Sequence, residues 1–343
     1  MNKAGSVQCF RYERGGIVLQ KKVLALLRAT GDGYISGEEI AGCLGVSRTA
    51  VWKHIRALKA AGYEIESHAR KGYSLIDTPD LLLPQEIQPM LRTKVIGRTM
   101  IHYDEIPSSN NEAKRLAMEG TPDGTVVVAE AQGAGKGRLS RGWFSPSRKG
   151  VWFSVVLRPS FLPQEAPKCT LMAAVAVVRA MKDMGFSVGI KWPNDVLDKK
   201  GKKLVGILTE MSAEMERVNY VVIGTGINVN LWPEDFPEDV RDIATSLSML
   251  RGGNVNRQEL FERVLEAMDE LYLRIEKDGF GAVLDEWRKY SVTLGQEVNV
   301  IGVKETFVGT AVDIDEDGAL LIDTIEGRRR VLAGDVSIRP RKK

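Results

Sequence analysis

Along the first eighty residues, apolar positions fall at helical spacing and then switch to alternation. "VLALLRAT" at 23–30 reads as a short apolar helix, closed by the glycines of "GDGY". In "ISGEEIAGCLGVSRTAVWKHIRALKAAGYEI", Ser36 can cap a helix that carries Glu38 and Glu39 in its first turn, where carboxylates suit the helix dipole. Gly45 supplies a sharp turn, and Ser47 can cap the next helix. On that helix Val51, Ile55, Leu58 and Ala61 share one face, which predicts the core side and leaves Arg48, Thr49, Lys53 and Arg56 outside. Trp52 and His54 read as packing or backbone-positioning residues. The alternation in "GYEIESHARKGYSLI" predicts a hairpin with Arg70 and Lys71 at its tip. Helix, glycine turn, capped basic helix and basic hairpin form the pattern of a winged helix-turn-helix, whose second helix reads DNA. A small packing domain with a solvated basic face is the plainer alternative; the cap positions and the wing count against it.

"DTPDLLLPQEI" places two prolines around an apolar run and predicts a linker, with a boundary near residue 80. Beyond it the pattern alternates between the two periods. "TMIHYDEI", "GTVVVAEAQG", "GVWFSVVLRP", "VGIK" and "YVVIGTGINVN" read as strands. "PSSNNEAKRLAMEG" and "APKCTLMAAVAVVRAMKDMG" read as helices, the second apolar enough to cover a sheet. Together they predict a mixed sheet with helices on one side and a basic, glycine-rich crevice on the other. "NRQELFERVLEAMDELYLRIEKDGFGAVLDEWRKY" gives two helices divided by glycines, and strands resume after Gly295 with "EVNVI", "ETFVGTAVDID", "ALLIDTI" and "RRRVLAG". Such short strands fit a small barrel, in which "EGRRR" is an exposed turn. The expected domains are 1–80, 81–290 and 291–343, in a chain of α/β (α+β) class. The opening "MNKAGSVQCFRYERGG" reads as a loosely ordered extension.

Composition changes the picture in one respect. The chain of 343 residues has 43% hydrophobic and 27% charged residues, ordinary for a soluble globular protein, and a net charge of only +3. Residues 1–72, however, hold 12 Lys+Arg against 6 Asp+Glu, a surplus of +6, so the remainder carries −3. A basic first module on a mildly acidic body suits one domain facing a polyanion and another with a different task. The three cysteines, Cys9, Cys43 and Cys169, are too scattered for a disulfide framework, and the three histidines lack zinc spacing. No apolar run is long enough to span a bilayer, and no secretory leader opens the chain, so a cytoplasmic protein without membrane partners is expected.

Candidate chemistry gathers at four places. In "EAQGAGKGRLSRGWFSP" (130–146) glycines alternate with Lys136, Arg138 and Arg141, which suits an anion-binding loop or, alternatively, a solvated surface hairpin. It matches neither a Walker A loop nor a dinucleotide fingerprint. Ser108, Ser109 and Asn110 stand at a strand–helix junction, able to bind a ligand or merely to cap the helix. Lys191 precedes Trp192, Pro193, Asn194 and Asp195; a lysine there can stabilise an oxyanion or phosphate, while Asp195 can hold a metal ion or order the lysine. Gly224 and Gly226 leave room for a flat ligand or another strand, with the amides of Asn228 and Asn230 at the strand end. Cys169 sits in an apolar helix and reads as core, so no acyl-enzyme nucleophile is evident.

"SSN" at 108–110, "EAQGAGKGRLSRGWFSP", "KWPNDV" at 191–196, "KLVGILTE" at 203–210 and "GTGINVN" at 224–230 resemble, in order, the motifs of the biotin–protein ligases. The basic first module resembles that of the bifunctional ligases that also repress biotin synthesis and transport genes. "YSVTLGQEVNV" through "GDVSIRP" resembles the family's small SH3-like carboxy-terminal barrel, and the likeness runs over about residues 20–340. It implies a winged helix-turn-helix, a mixed-sheet biotin/lipoate-ligase-like catalytic domain and that barrel. It implies ATP and biotin as substrates, with Mg²⁺, and biotinyl-5′-AMP as intermediate and corepressor. The implied partners are a biotin carboxyl carrier protein of acetyl-CoA or pyruvate carboxylase, operator DNA and, with adenylate bound, a second copy of the chain.

By the same resemblance Ser108, Ser109 and Gln132 contact biotin's polar ring, with Asn110, Gly206, Gly224, Gly226 and Asn228 in the substrate pocket. Backbone groups of the loop, Gly135 and Gly137 included, complete it. Arg138 holds the adenylate phosphate, and Lys191 bridges the carboxyl-derived oxygen and phosphate. Arg141 helps retain the ligand, and Arg339 reaches the adenine or phosphate side. Lys136 takes one basic position of the loop, while Leu139 and Ser140 stand where its most basic version has arginine and glycine. On the DNA side the expected residues are Ser47, Arg48, Thr49, Lys53, Arg56, Arg70 and Lys71; Asp195 is the candidate Mg²⁺ ligand. A lipoate–protein ligase is the rival enzyme, and a vitamin-responsive transcription factor without chemistry is the rival outside enzymology.

Overall fold

The computed structural model describes residues 14–302, 305–333 and 337–340. The extension expected before residue 14 lies outside the described residues. Described residues up to Asp80 form one compact unit and those from Leu81 form another. The segment expected as a separate carboxy-terminal domain packs into the second unit.

The first unit contains α1 (Arg14–Ala29), α2 (Gly37–Leu44), α3 (Arg48–Ala60), β1 (Glu64–His68) and β2 (Gly72–Asp77). Its helix boundaries follow from local hydrogen bonding. Ser36 Oγ accepts from Glu39 N at 3.1 Å and the Glu39 carboxylate accepts from Ser36 N at 2.8 Å, a reciprocal capping box. Gly45 ends α2 in the left-handed region at φ 65°, and Ser47 Oγ accepts from Ala50 N at 3.2 Å to open α3. Val51, Ile55 and Leu58 are buried, as their spacing predicts. Strands β1 and β2 pair antiparallel with Arg70 and Lys71 in the connecting turn. Gly72 is required there: at φ +105°, a Cβ would stand 2.2 Å from the Ile35 carbonyl oxygen.

The second unit opens with the helical turn α4 (Pro84–Ile87), followed by β3 (Met100–Ile106), α5 (Ser109–Met118), β4 (Thr125–Gln132), β5 (Gly150–Leu157), α6 (Cys169–Asp183), β6 (Val188–Lys191), β7 (Asp195–Asp198), β8 (Lys203–Ala213) and β9 (Val218–Asn228). Short helices α7 (Glu238–Arg241) and α8 (Leu247–Arg251) lead to α9 (Arg257–Asp278) and α10 (Gly281–Tyr290). The seven strands form one mixed sheet in the order β3-β4-β5-β9-β8-β7-β6; only β3 and β4 run parallel.

One face of this sheet lies under α6, α9 and α10, in a core that includes Val126, Val128, Phe153, Leu265 and Trp287. Helices do not keep to that side, contrary to the sequence expectation. Helix α5 packs on the opposite face, where Ala113 and Ala117 meet Val127, Ala129, Val156 and Val222. Its small residues let it lie close to the sheet at one end, and the crevice takes the rest of that face.

Strands β10 (Glu297–Ile301), β11 (Thr306–Ile314), β12 (Leu320–Thr324), β13 (Gly327–Val331) and β14 (Ser337–Pro340) form a five-stranded antiparallel sheet in the order β13-β12-β11-β10-β14. It is fastened to the ligand-side turn of the large sheet. Trp192 N donates to Thr293 Oγ1 at 2.9 Å, and Trp192 Nε1 donates to the Gly318 carbonyl at 3.0 Å. No helix among the described residues is long and apolar enough to cross a membrane.

Candidate functional site

The crevice is a cavity of about 600 Å³, walled by the ends of β4, β6 and β7, the faces of β8 and β9, the start of α5 and the 133–142 loop. Register brings its distant motifs into line. Lys191 pairs with Asp195, Asp195 with Gly206, Gly206 with Gly226, and Gly226 with Trp152. Residues that sequence reading takes from four separate segments therefore form one row across the sheet.

At one end lies a buried polar cluster. Gln132 Oε1 accepts from Ser109 N at 2.8 Å, and Gln132 Nε2 donates to Ser145 Oγ at 2.9 Å. Ser154 Oγ lies 2.7 Å from Ser109 Oγ and 2.6 Å from Asn110 Oδ1. Asn110 Nδ2 donates to Glu210 at 2.9 Å, and Lys114 Nζ meets the other Glu210 oxygen at 2.6 Å. Burial pushes the Glu210 carboxyl upward, but Lys114 and Asn110 outweigh it and hold it below the usual carboxylate range. Ser108 makes no side-chain cap bond to α5; it lines the cavity instead.

The other end is cationic. The 133–142 loop is a folded hairpin, with Gly137 N donating to the Arg141 carbonyl at 2.8 Å and a bridge between Lys136 and Gly142. Leu139 and Ser140 both take positive φ, 55° and 57°, at its tip. Neither is glycine, so the tip carries backbone strain of roughly 1–3 kcal/mol per residue. Arg138 reaches inward, its guanidinium donating to Asn194 Oδ1 at 3.0 Å and to the Ala333 carbonyl. Lys136 Nζ donates to Asn111 Oδ1 at 2.8 Å. Lys191, Arg138, Lys136 and Arg141 all line the cavity. The Arg339 side chain lies outside the described residues.

Asp195 faces Lys203, with Nζ and Oδ1 2.7 Å apart. Among the described residues no group of three or more His, Cys, Asp or Glu side chains could hold a metal ion. At this point Asp195 is thus already paired with a cation.

The strand glycines are occupied by neighbours within the chain. A Cβ on Gly224 would stand 1.9 Å from Asn110 Oδ1; on Gly206 and Gly226 it would stand 2.7 and 2.2 Å from the Trp143 indole. Trp143 is the residue that sequence reading missed. Its indole fills the space above both glycines, Lys203 Nζ lies 5.2 Å from its ring centre, and its buried Nε1 has no hydrogen-bond partner. The available signal was its place between the basic loop and Phe144. Asn228 lines the cavity while donating to the Thr245 carbonyl at 3.0 Å, whereas Asn230 exchanges bonds with the Val255 backbone and serves the loop there. Cys169 is buried, and burial pushes its thiol up to about 12, as a core residue requires.

In the first unit Arg48, Thr49, Lys53, Arg56, Arg70 and Lys71 are exposed. Ser47 acts first as the cap of α3. Of the two roles expected for Trp52, packing or backbone positioning, its 47% exposure does not fit packing: it lies off the buried Val51–Ile55–Leu58 face.

The arrangement matches known proteins in three segments. Residues 104–228 match the biotin/lipoate A/B protein ligase family, residues 19–74 an HTH domain, and residues 293–339 the biotin protein ligase C terminal domain. The chain is 43% identical over 321 residues to the bifunctional ligase/repressor BirA of Bacillus subtilis, covering 93% of this chain and 98% of that one. It is 31% identical over 324 residues to the Escherichia coli protein of the same name, covering 94% and 98%. Among solved structures it resembles the biotin protein ligase from Aquifex aeolicus in complex with biotin and ATP. That likeness has a TM-score of 0.63 and 30% identity, over 71% of this chain and all of that one.

Proposed function

This chain belongs to the biotin/lipoate A/B protein ligase family, and from that premise we infer that it is an ATP-dependent biotin–[biotin carboxyl carrier protein] ligase whose HTH domain makes it a biotin-responsive repressor as well. The observation that carries the reading is the cavity's polarity, with a buried amide–hydroxyl cluster at one end and Arg138 with Lys191 at the other. Ser108, Ser109, Asn110 and Gln132 supply donors and acceptors for the ureido ring. Gly206, Gly224, Gly226 and Asn228 shape the floor. Gly135, Gly137, Lys136 and Arg141 close the loop over the ligand, and Arg339 contributes from the last strand.

The chemistry follows from charge. A carboxylate is a poor acyl donor, because its leaving oxygen would depart with a full charge. Its oxygen attacks the α-phosphorus of ATP, the bond to the β-phosphate oxygen breaks, and pyrophosphate leaves. Arg138 and Lys191 offset the negative charge that accumulates at this step. The neutral amine of a carrier lysine then attacks the acyl carbon; the C–O bond to AMP breaks, the amide forms, and the amine's proton is released. Asp195 and the nucleotide's phosphates would hold Mg²⁺, which would supply charge neutralisation there.

With ATP as substrate and an operator as target, we read the protein as cytoplasmic. Biotinyl-5′-AMP acts as corepressor by fixing the 133–142 loop against it, which favours a homodimer whose two HTH units address two half-sites. Sedimentation with biotin and ATP should show the dimer; a monomer throughout would reject this regulatory reading and leave the enzyme intact.

Incubation with ATP, Mg²⁺ and either biotin or lipoate separates the two ligase readings. Pyrophosphate release and carrier acylation are expected with biotin; activation of lipoate alone would overturn the assignment. A substitution at the floor tests the polar cluster. Gly224→Ala drives a methyl into Asn110, and such overpacking costs about 1–3 kcal/mol of stability. The variant's biotin KM should rise about tenfold or more, as one misplaced polar group allows, while its KM for ATP changes little. Equal changes in both would mean a general loss of fold.

A further inference from the structure

The exposed side of α3 holds a large aromatic residue to which the repressor reading gives no role. Trp52 stands in the first half of the helix, among Arg48, Thr49, Lys53 and Arg56, and is 47% exposed. The Arg56 guanidinium lies 4.8 Å from its ring centre, a cation–π distance. The wing repeats the device: Lys71 Nζ lies 5.3 Å from the Tyr34 ring, and Tyr34 Oη donates to Glu66 at 2.7 Å. Each cation is thus held by an aromatic face rather than left to roam. In Trp52 the guanidinium covers part of the ring, and the rest faces outward in a ring of positive charge.

A surface so charged selects a polyanion; the indole N–H can donate one hydrogen bond to a phosphate, but the large apolar face of the ring gains nothing there. The major groove offers it one apolar group, the C5-methyl of thymine, and recognition helices present their amino-terminal half to the base edges. Resting on the DNA reading above, we propose that Trp52 is a sequence-reading residue. Its indole packs against a thymine methyl in each half-site, and its face holds Arg56 toward the neighbouring phosphate.

The test uses the full chain with biotin and ATP. A half-site duplex is first selected from a randomised library, and each of its thymines is then replaced singly by deoxyuridine, which removes only the methyl. At one thymine the native chain should lose about 5–10-fold in affinity at fixed salt, the scale of a single apolar base contact. Trp52→Ala should bind both duplexes alike, and Trp52→Phe, which keeps a ring, should retain part of the distinction. Arg56→Ala should weaken both duplexes equally and lower the salt slope by about one phosphate contact. The proposal fails if the native chain ignores every thymine-to-deoxyuridine change, or if Trp52→Ala still distinguishes them. Failure of the native chain to enrich any duplex would instead sink the DNA reading itself, and this proposal with it.

Discussion

Lys191→Ala should lower the rate of biotinyl-5′-AMP formation by about 10²–10³-fold, the usual cost of removing one donor aimed at developing charge. Backbone contacts hold the strand at this point. Val292 N donates to the Ile190 carbonyl at 2.9 Å, Trp192 N is held by Thr293, and the pairing of Lys191 with Asp195 is made by the backbone. The fold should therefore survive while the charge is lost. Lys191→Arg keeps the charge but changes its shape, and should recover only part of the rate. Single-turnover measurement of adenylate formation, separately from transfer to the carrier, checks the point. A loss smaller than about threefold in both steps would be too little for a charge-stabilising donor and would remove Lys191 from the machinery.

Arg257→Ala should cost about 3–5 kcal/mol of stability, because it strands a buried carboxylate. Arg257 is fully buried, and its Nη1 lies 2.9 Å from both Glu130 Oε2 and the Gly150 carbonyl. Glu130 is almost as deep, accepting from Leu82 N at 2.7 Å and lying 3.3 Å from His102 Nε2. Burial alone would raise the Glu130 carboxyl, but the His102 hydrogen bond, the Arg257 charge and the Leu82 N–H together hold it below the usual range. A depressed carboxyl contributes stability above its unfolded value and loses it as the pH falls through the folded one. Without Arg257 the buried carboxylate keeps only His102 and the Leu82 N–H as partners, and protonation relieves the lost charge compensation. The deficit in urea midpoint should thus be largest at pH 7–8 and shrink toward pH 5. A deficit below about 1 kcal/mol, or one independent of pH, would contradict a buried pair. Glu130 stands on β4 two positions before Gln132, so the biotin KM should also rise.

Much of the architecture was legible because it is local. Capping at Ser36 and Ser47, the left-handed turn at Gly45 and the spacing of Val51, Ile55 and Leu58 depend on neighbours within a few residues. The large helix α6 and the strands β4, β5 and β9 are announced by apolar runs in the same way. The motifs around Gln132, Arg138 and Lys191 were visible as residue types suited to an anion, and their family resemblance carried the chemistry.

What only the tertiary structure decided were relations between distant segments. The absence of side chains at Gly206, Gly224 and Gly226 could be read from the chain; that Trp143 and Asn110 fill those spaces could not, since strand register sets which residues face each other. Helix α5 looked like any amphipathic helix, and its face on the sheet was chosen by the parallel crossover between β3 and β4. That Trp52 stays exposed was decided by packing, because hydrophobicity predicts burial only on average and α3 fills its core face with three smaller residues. The sequence by itself determined the elements, the caps and the types of residue available for chemistry, because short-range sterics and periodicity act within one segment. The structure decided which of them meet, because pairing and packing energies belong to contacts between segments far apart along the chain.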